Sequence, residues 1–242
     1  MPSTVGKIYL KRPTAQLASK QHQKHQIAKM PTAYMYVVDR DFGFAPNPFH
    51  GSCTLATCKP VIRRVAKKGD WVIGMGGGRL KATGRCIFAM EISQSITFDE
   101  YWLSPKYQDK KPVRNGSSKM LVGDNIYHTE NGQWHQENSH HSHPNGDPNQ
   151  HNIKNDTQSN AVLVSDNFYY FGKSAIEIPD DILSKVGYKN GRAHRKFDLA
   201  SALPLISFFK ENFKANTVFS DPFDFESASW RYSFEDNKVT SS

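Results

Sequence analysis

Long hydrophobic runs and paired cysteines are both missing from this 242-residue sequence. No apolar stretch approaches the roughly 20 residues that cross a bilayer, and runs such as AVLVS have only the length of a strand. The three cysteines are too few, and odd in number, for a disulfide framework. The first thirty residues carry no apolar signal-peptide core. These absences predict a cytoplasmic protein that has no membrane partner.

Several signatures of named enzyme classes are also absent. The sequence contains no Walker phosphate loop, no HxE with PCxxC deaminase signature and no GxSxG elbow. Gly74, Gly76 and Gly78 superficially match a dinucleotide fingerprint, but such a loop must open a helix whose N-terminus holds the phosphates. A strand pattern, CIFAMEIS, follows here instead. A Rossmann-type site is therefore excluded, and no cofactor is predicted.

Acidic residues are missing from the N-terminal thirty residues, although the whole chain carries a formal net charge of +8. Six basic residues lie before Met30: Lys7, Lys11, Arg12, Lys20, Lys24 and Lys29. We expect residues 1–31 to form a disordered basic arm. Such an arm can bind phosphates through counterion release, or it can be an inert solubilising tail. An organellar transit peptide is less favoured, because this segment has a single arginine.

The remaining sequence predicts one domain over residues 32–220 and a C-terminal strap or tail over 221–242. TAYMYVV at 32–38 is typical of a buried strand, and a helix is expected at about 58–68 with Thr57 as its N-cap. Strand patterns at 70–75 and 85–93 predict a hairpin with a basic tip. Thr97 and Glu100 form a capping box at the start of a short helix. Residues 105–160 show little periodicity and predict a long ordered loop.

Six motifs in order carry a family resemblance: DRDFGFAPNPFHGSCTLATCKP, GDWVIGMGG, ITFDEYW, GDNIYH, SHHSHPNGDPNQHNIKNDT and VLVSDNFYYFG. Over roughly residues 32–190 the chain resembles the nucleotide modification associated domain 2 family. This resemblance implies a DNA base modification setting, with a nucleotide or nucleic acid, and other DNA-modification proteins, as partners. The hairpin also resembles, more loosely, the strand pair of PUA-like, ASCH and EVE barrels. We therefore expect an α+β fold: a small mixed or antiparallel β-barrel with flanking helices.

The histidine-rich stretch SHHSHPNGDPNQHN at 139–152 raises the question of a metal site. His140, His141 and His143 are too closely spaced to converge easily on one ion, so no metal is predicted. A site that combines His141 or His143 with His151 or Cys53 remains the less favoured alternative. The family resemblance matches GDNIYH and SHHS together. It implies that His128, His140 and His141 are catalytic candidates for proton transfer or base recognition. His143 and His151 are expected to be solvated.

Further side chains are candidates for nucleotide or nucleic-acid binding: Asn47, Phe49, Lys59, Arg63, Arg79, Asp124, Asn125 and Tyr169. Asn47 offers an amide to a base edge, and Phe44 or Phe49 offers a stacking face. Both phenylalanines can equally be lid residues over the core, and the basic groups can lie on a solvated helix face. Tyr169 and Tyr170 alternate in a strand, so only one of them belongs to the core.

Three functional hypotheses follow. The chain binds a nucleotide or modified base in a barrel-mouth pocket without chemistry of its own, and this hypothesis leads by a small margin. Alternatively, it is an enzyme that modifies a nucleotide or DNA base with histidine acid/base chemistry. A third hypothesis, a structural partner, needs only the basic arm. The sequence leaves open whether the protein is an enzyme.

Overall fold

The computed structural model describes residues 30–241. The predicted basic arm therefore lies outside the described residues, apart from its last two positions, and its binding of phosphate stays a prediction. Within the described range, no helix is both long enough and apolar enough to cross a membrane.

Strands supply most of the regular structure. In chain order they are β1 (Thr32–Val38), β2 (Cys53–Leu55), β3 (Trp71–Gly76), β4 (Arg85–Glu91), β5 (Gln94–Thr97), β6 (Tyr127–Glu130), β7 (Gln133–Gln136), β8 (Ala161–Ser165), β9 (Asn167–Tyr170), β10 (Ile176–Glu177), β11 (His194–Asp198), β12 (Thr217–Val218), β13 (Arg231–Ser233) and β14 (Lys238–Thr240). The α-helices are α1 (Pro60–Val65), α2 (Phe98–Leu103), α3 (Ser118–Leu121), α4 (Gln150–Asp156), α5 (Asp180–Val186) and α6 (Leu199–Asn212). Short 3₁₀ helices occupy Gly78–Leu80, Pro105–Lys110, Gly172–Ser174 and Phe225–Ser227.

A seven-stranded mixed sheet organises the fold, in the order β11-β1-β3-β4-β9-β12, with β10 paired to β4. The pairs β1–β3 and β9–β12 are parallel, and the others are antiparallel. The α+β prediction is confirmed. The closed barrel is not confirmed, because β11 and β12 lie at opposite edges of the sheet and do not pair within the part of the chain described.

The two faces of this sheet are covered differently. Side chains alternate along β1, so that Ala33 and Met35 pack under α5 and α6, with Phe209 of α6 in the same cluster. Tyr36 and Val38 face the other way, where the core includes Leu163 of a smaller three-stranded sheet, β2-β8-β5. This second face continues into the long connections between strands, and those connections build the candidate site.

Several local predictions are confirmed. β3 and β4 pair antiparallel as the expected hairpin. At α2 the Thr97 hydroxyl accepts from the Glu100 amide at 3.1 Å, and the Glu100 carboxylate accepts from the Thr97 amide at 2.7 Å. The predicted helix near 58–68 is shorter, Pro60–Val65, and Thr57 does not cap it. The reason is that Cys58 and Lys59 adopt left-handed backbone angles, which delay the helix to Pro60.

The long region 105–160 folds into short elements rather than remaining a loop throughout. β6 and β7 form a two-stranded hairpin, and α4 closes the region with Asn149 as its N-cap. The C-terminal segment packs against this region. The Tyr232 amide donates to the His140 carbonyl at 2.8 Å, and the Phe234 amide donates to the Asn152 side-chain oxygen at 2.8 Å.

Candidate functional site

A cavity of about 220 Å³ lies where five parts of the chain meet: the end of β1, the loop after it, the turn before α1, the loop between β7 and α4, and the C-terminal hairpin. Its lining residues come from these distant parts of the chain: Tyr36, Val37, Val38, Asp39, Arg40, Phe42, Phe44, Ala45, Cys58, Lys59, His140, His141, Tyr232 and Phe234. This volume is below the roughly 300–1,000 Å³ of pockets for drug-sized ligands, so a small ring system suits it best.

Aromatic rings surround the two histidines of this cavity. The His140 ring lies 4.4 Å from the Phe42 ring and 5.1 Å from the Phe44 ring, measured between centroids. The His141 ring lies 4.7 Å from Phe44 and 5.6 Å from Phe234. The cavity therefore offers flat apolar faces beside polar ring nitrogens, the combination that holds a planar ligand and orients it.

Amide side chains hold the histidine pair in place through the backbone. The carbonyl of His141 accepts from Asn152 at 2.7 Å and from Gln136 at 3.1 Å. Gln136 also accepts from the Asn149 amide at 2.8 Å, which ties β7 to the start of α4. The side chains of Gln136, Asn149 and Asn152 thus build a rigid support, since each of them has a hydrogen-bond partner.

His141 forms a buried pair with Asp156. Its Nδ1 lies 2.7 Å from Asp156 Oδ2, which also accepts from the Tyr127 hydroxyl at 3.0 Å. Burial opposes the charged ring, but the Asp156 charge and hydrogen bond reverse this effect and raise the pKa of His141. Burial likewise opposes the Asp156 charge, and the His141 interaction nevertheless lowers the pKa of Asp156. The pair is therefore ionised at neutral pH.

His140 has the opposite character. Its Nδ1 lies 2.6 Å from the Trp230 carbonyl oxygen, so this nitrogen donates and Nε2 is left as an acceptor. Burial, and then the charge of His141, lower the pKa of His140 well below the usual histidine value. Adjacent histidines with pKa values displaced in opposite directions supply an acid and a base in one site.

Cys58 completes this arrangement. Its Sγ lies 3.9 Å from His141 Nε2, and its backbone amide donates to Asp156 Oδ1 at 2.7 Å. Cys58 and Lys59 have φ angles of 56° and 39°, a left-handed conformation that is strained for residues other than glycine. The Arg63 guanidinium donates to the Cys58 carbonyl at 2.8 Å. These two backbone hydrogen bonds fix the position of Cys58 next to the His141–Asp156 pair.

Positive charge lies at the mouth of the cavity. The Lys59 ammonium sits 4.4 Å from the centre of the Tyr36 ring, and the Arg40 guanidinium 5.3 Å from that of Tyr232. A second depression adjoins this one, shares Lys59 with it and includes the segment 190–193 with Arg192. The two depressions also share Val37 and the exposed Asp39, so the rim between them carries a carboxylate as well as the Lys59 ammonium.

The predicted residues divide into those at the cavity and those elsewhere. His140, His141 and Lys59 line it. His128 does not line this cavity; it stacks on Trp102 with 4.1 Å between ring centres. Arg79 is exposed in the Gly78–Leu80 turn.

Other predicted binding residues are buried in structural positions. Asn47 accepts from the Lys110 ammonium at 2.9 Å and from the Phe49 amide at 3.1 Å. Asp124 accepts from the Thr54 and Tyr101 hydroxyls, both at 2.7 Å. Burial raises the pKa of Asp124 to about 6 against the opposing charge of Lys110.

The last four lie in the core or the loop framework. The Asn125 amide donates to backbone carbonyls, and Phe49 packs 5.4 Å from the Phe225 ring. Tyr169 stacks on Phe209 under the helices, and Tyr170 is buried on the opposite face of the sheet. The prediction that only one of the two belongs to the core is therefore wrong, because both faces of the sheet are covered. Arg63 is fully buried and donates to carbonyl oxygens of Cys58, Asp156, Ser159 and Ala161.

Sequence reasoning missed the roles of Cys58, Asp156, Tyr232 and Phe234. The positions of Cys58 and Asp156 differ by 98 residues, so no local spacing relates them. Among the described residues, no group of three or more His, Cys, Asp or Glu side chains is arranged to hold a metal ion.

The family model for nucleotide modification associated domain 2 matches residues 30–229. The chain belongs to this family, as the sequence motifs predicted, and its role is one associated with nucleotide modification. No curated protein and no solved structure matches the chain.

Proposed function

We propose that the chain binds the base of a nucleotide or nucleic acid in the aromatic cavity and modifies it by proton-transfer chemistry at the histidine pair. The observation that carries this proposal is the placement of the oppositely tuned His140 and His141 inside a cavity walled by aromatic rings. A flat base stacks on such rings, and stacking is worth about 1–3 kcal/mol per base.

The phosphate of the ligand extends from the cavity towards Lys59 and the neighbouring depression. Lys59 is shared by both depressions, and the second contains Arg192 and the amide side chain of Asn190. Charged and amide donors around a shallow depression suit a phosphate group. A strand of nucleic acid would follow the second depression while one of its bases enters the cavity.

A binding role without chemistry remains the second candidate, favoured by the aromatic lining alone. The enzymatic role is preferred because His141 and Asp156 form a buried ion pair at the wall of the cavity, and the desolvation of such a pair is often not repaid in stability. Perturbed pKa values in a cavity are a recognised mark of catalytic groups.

Binding is tested by calorimetry of the full chain with the deoxynucleosides and their 5′-monophosphates. Phe44 and Phe49 form a matched pair, since both are buried phenylalanines of one loop and only Phe44 lines the cavity. Phe44→Leu is expected to weaken binding by about tenfold, and Phe49→Leu to leave it unchanged. Absence of binding by every nucleoside and nucleotide would overturn the proposal.

The phosphate assignment is tested with Lys59→Gln and its control Lys67→Gln, an exposed lysine that does not line the cavity. Lys59→Gln should weaken monophosphate binding while nucleoside binding is kept. Chemistry is tested by mass spectrometry of nucleosides after incubation with nucleotides and DNA. A product that disappears in His141→Gln supports the enzyme, and binding without any product supports the second candidate.

A further inference from the structure

The three cysteines of the chain differ sharply in their access to the candidate site. Cys53 and Cys86 are fully buried, and burial raises the pKa of both thiols above the usual cysteine range. Cys58 is partly exposed and lines the cavity with His140 and His141. A thiol in contact with a ligand pocket is the one that can react with a ligand.

We propose that Cys58 is a nucleophile that bonds covalently to the bound base, with His141 as its acid/base partner and Asp156 as the group that positions His141. The assignment of a base as substrate rests on the proposed function. The assignment of the nucleophile also rests on the position of Cys58 beside the His141–Asp156 pair, which the proposed function does not use.

The two carboxylate oxygens of Asp156 connect it to both His141 and Cys58. Asp156 Oδ2 lies 2.7 Å from His141 Nδ1, and His141 Nε2 lies 3.9 Å from Cys58 Sγ. The other oxygen, Oδ1, accepts from the Cys58 backbone amide at 2.7 Å. A nucleophile beside a base that a third group orients is the arrangement of cysteine and serine acyl-transfer enzymes, and the contact to the nucleophile is often loose without substrate.

The backbone of Cys58 supports the same reading. Its left-handed φ of 56° lies in a tight turn between Thr57 and α1, and the Arg63 guanidinium binds its carbonyl. Strained backbone of this kind is retained where the surrounding structure holds a functional side chain in position. The charged His141 ring lies beside Sγ, and the thiolate is the form in which a cysteine acts as a nucleophile.

The chemical step balances without a further reactant. A lone pair of the Cys58 thiolate forms a bond to an electrophilic ring carbon of the base, and the π bond between that carbon and a ring nitrogen breaks. The electron pair moves to the ring nitrogen, which takes the proton from His141 Nε2. The reverse transfer restores the thiolate and the charged imidazole.

The first experiment measures alkylation of the native full chain by iodoacetamide at pH 7, with each cysteine followed by mass spectrometry. Cys58 is expected to react about tenfold faster in the wild type than in His141→Gln. Cys53 and Cys86 should stay unmodified while the protein is folded. His143→Gln is the matched control, because His143 is an exposed histidine of the same loop, and it should leave the rate unchanged. An equal rate in wild type and His141→Gln overturns the proposal.

The second experiment uses 6-chloropurine 2′-deoxyriboside as an electrophilic base. Attack by Cys58 at the chlorinated carbon expels chloride and leaves a stable thioether. An adduct on Cys58 that is absent from Cys58→Ser supports the proposal, and this measurement needs no altered His141. If His141→Gln unfolds, Cys53 and Cys86 will become reactive, which reveals the unfolding. The presence or absence of the chloropurine adduct on the native chain then decides whether Cys58 is a nucleophile.

The two proposals fail in different ways. If deoxynucleotides slow alkylation of Cys58 but the chloropurine forms no adduct, the cavity binds bases and the covalent step is wrong. If alkylation depends on His141 but no deoxynucleotide slows it, the role of Cys58 as a nucleophile is supported. A base is then neither the substrate of Cys58 nor the ligand of the cavity, and the proposed function is wrong.

Discussion

Both faces of the seven-stranded sheet bury an apolar cluster, but they differ in what lies beyond it. Under α5 and α6 the cluster is apolar, from Ala33 and Met35 to Phe209. On the other face, the region beyond the sheet buries His140, His141 and Asp156, each with a polar partner. Apolar burial supplies folding free energy without demanding an exact partner, whereas buried polar groups are costly unless all are satisfied. We infer that the helical face mainly stabilises the fold and that the opposite face carries its chemistry.

The sharpest test of this division is Phe209→Ala. Phe209 is fully buried between Tyr169 and Phe171, so truncation leaves a cavity and should lower the free energy of unfolding by about 3–5 kcal/mol. Leu203→Ala on the same helix is the control, because Leu203 is half exposed, and it should cost less than about 1 kcal/mol. Both are measured by urea unfolding. Slower alkylation of Cys58 in folded Phe209→Ala would show that the two faces are coupled.

Helix α1, on the face of the sheet opposite α5 and α6, carries a buried arginine, Arg63, next to an exposed one, Arg64. Arg63→Met removes the donors to four carbonyl oxygens in the connections around the site and should destabilise the chain by about 2–4 kcal/mol. Arg64→Met should change stability by less than about 0.5 kcal/mol, because Arg64 is exposed. Chemical denaturation of both variants checks this. Equal effects would mean that the buried guanidinium does not hold this face together.

The comparison also explains which features were predictable from the sequence. The β-branched and aromatic run TAYMYVV, the hairpin around residues 71–91 and the capping box at Thr97 are local patterns, and each was confirmed. The closed barrel was expected from a resemblance of one hairpin, but closure depends on how distant strands pair, which a hairpin does not determine. The family itself was predictable because its motifs are contiguous and keep their order.

The site was predictable only in part. His140 and His141 were singled out and do line the cavity, whereas Asn47 and Asp124 belong to a buried hydrogen-bond network. Polar residues in a motif look alike in sequence whether they support a fold or face a ligand. The link from Cys58 to Asp156 arises from tertiary packing alone, so no spacing indicated it.

The His141–Asp156 pair should make the stability of the polar face depend on pH. A raised histidine pKa contributes stability that is complete below the unfolded value, near 6.5, and is lost as pH rises towards the folded pKa. The lowered pKa of Asp156 preserves the contribution down to about pH 4. The stability difference between wild type and His141→Gln should therefore be larger at pH 6.5 than at pH 8.5, by about 1–2 kcal/mol.

This measurement compares two proteins at each pH, so groups that they share largely cancel. Burial raises the pKa values of Asp41 and Asp124 to about 6. Their contribution to the free energy of unfolding falls as pH rises through this value, and it does so in both proteins. Burial is the largest cause of the lowered pKa of His140 and is common to both proteins, so the contribution of His140 largely cancels in the comparison. A difference that grows towards pH 8.5 would contradict an ionised pair.

The smallest effects are expected at the outer histidines of the same loop. His143 is exposed, and His151 pairs with Glu235 at 3.3 Å with both side chains 58% exposed. Surface ion pairs contribute about 0–1 kcal/mol, so His143→Ala and His151→Ala should each change the free energy of unfolding by less than about 1 kcal/mol. Neither should alter the alkylation rate of Cys58 or binding of a nucleotide. Loss of binding in His143→Ala would extend the site over the turn at residues 143–147, and the boundary between the solvated and the buried histidines would then have to be redrawn.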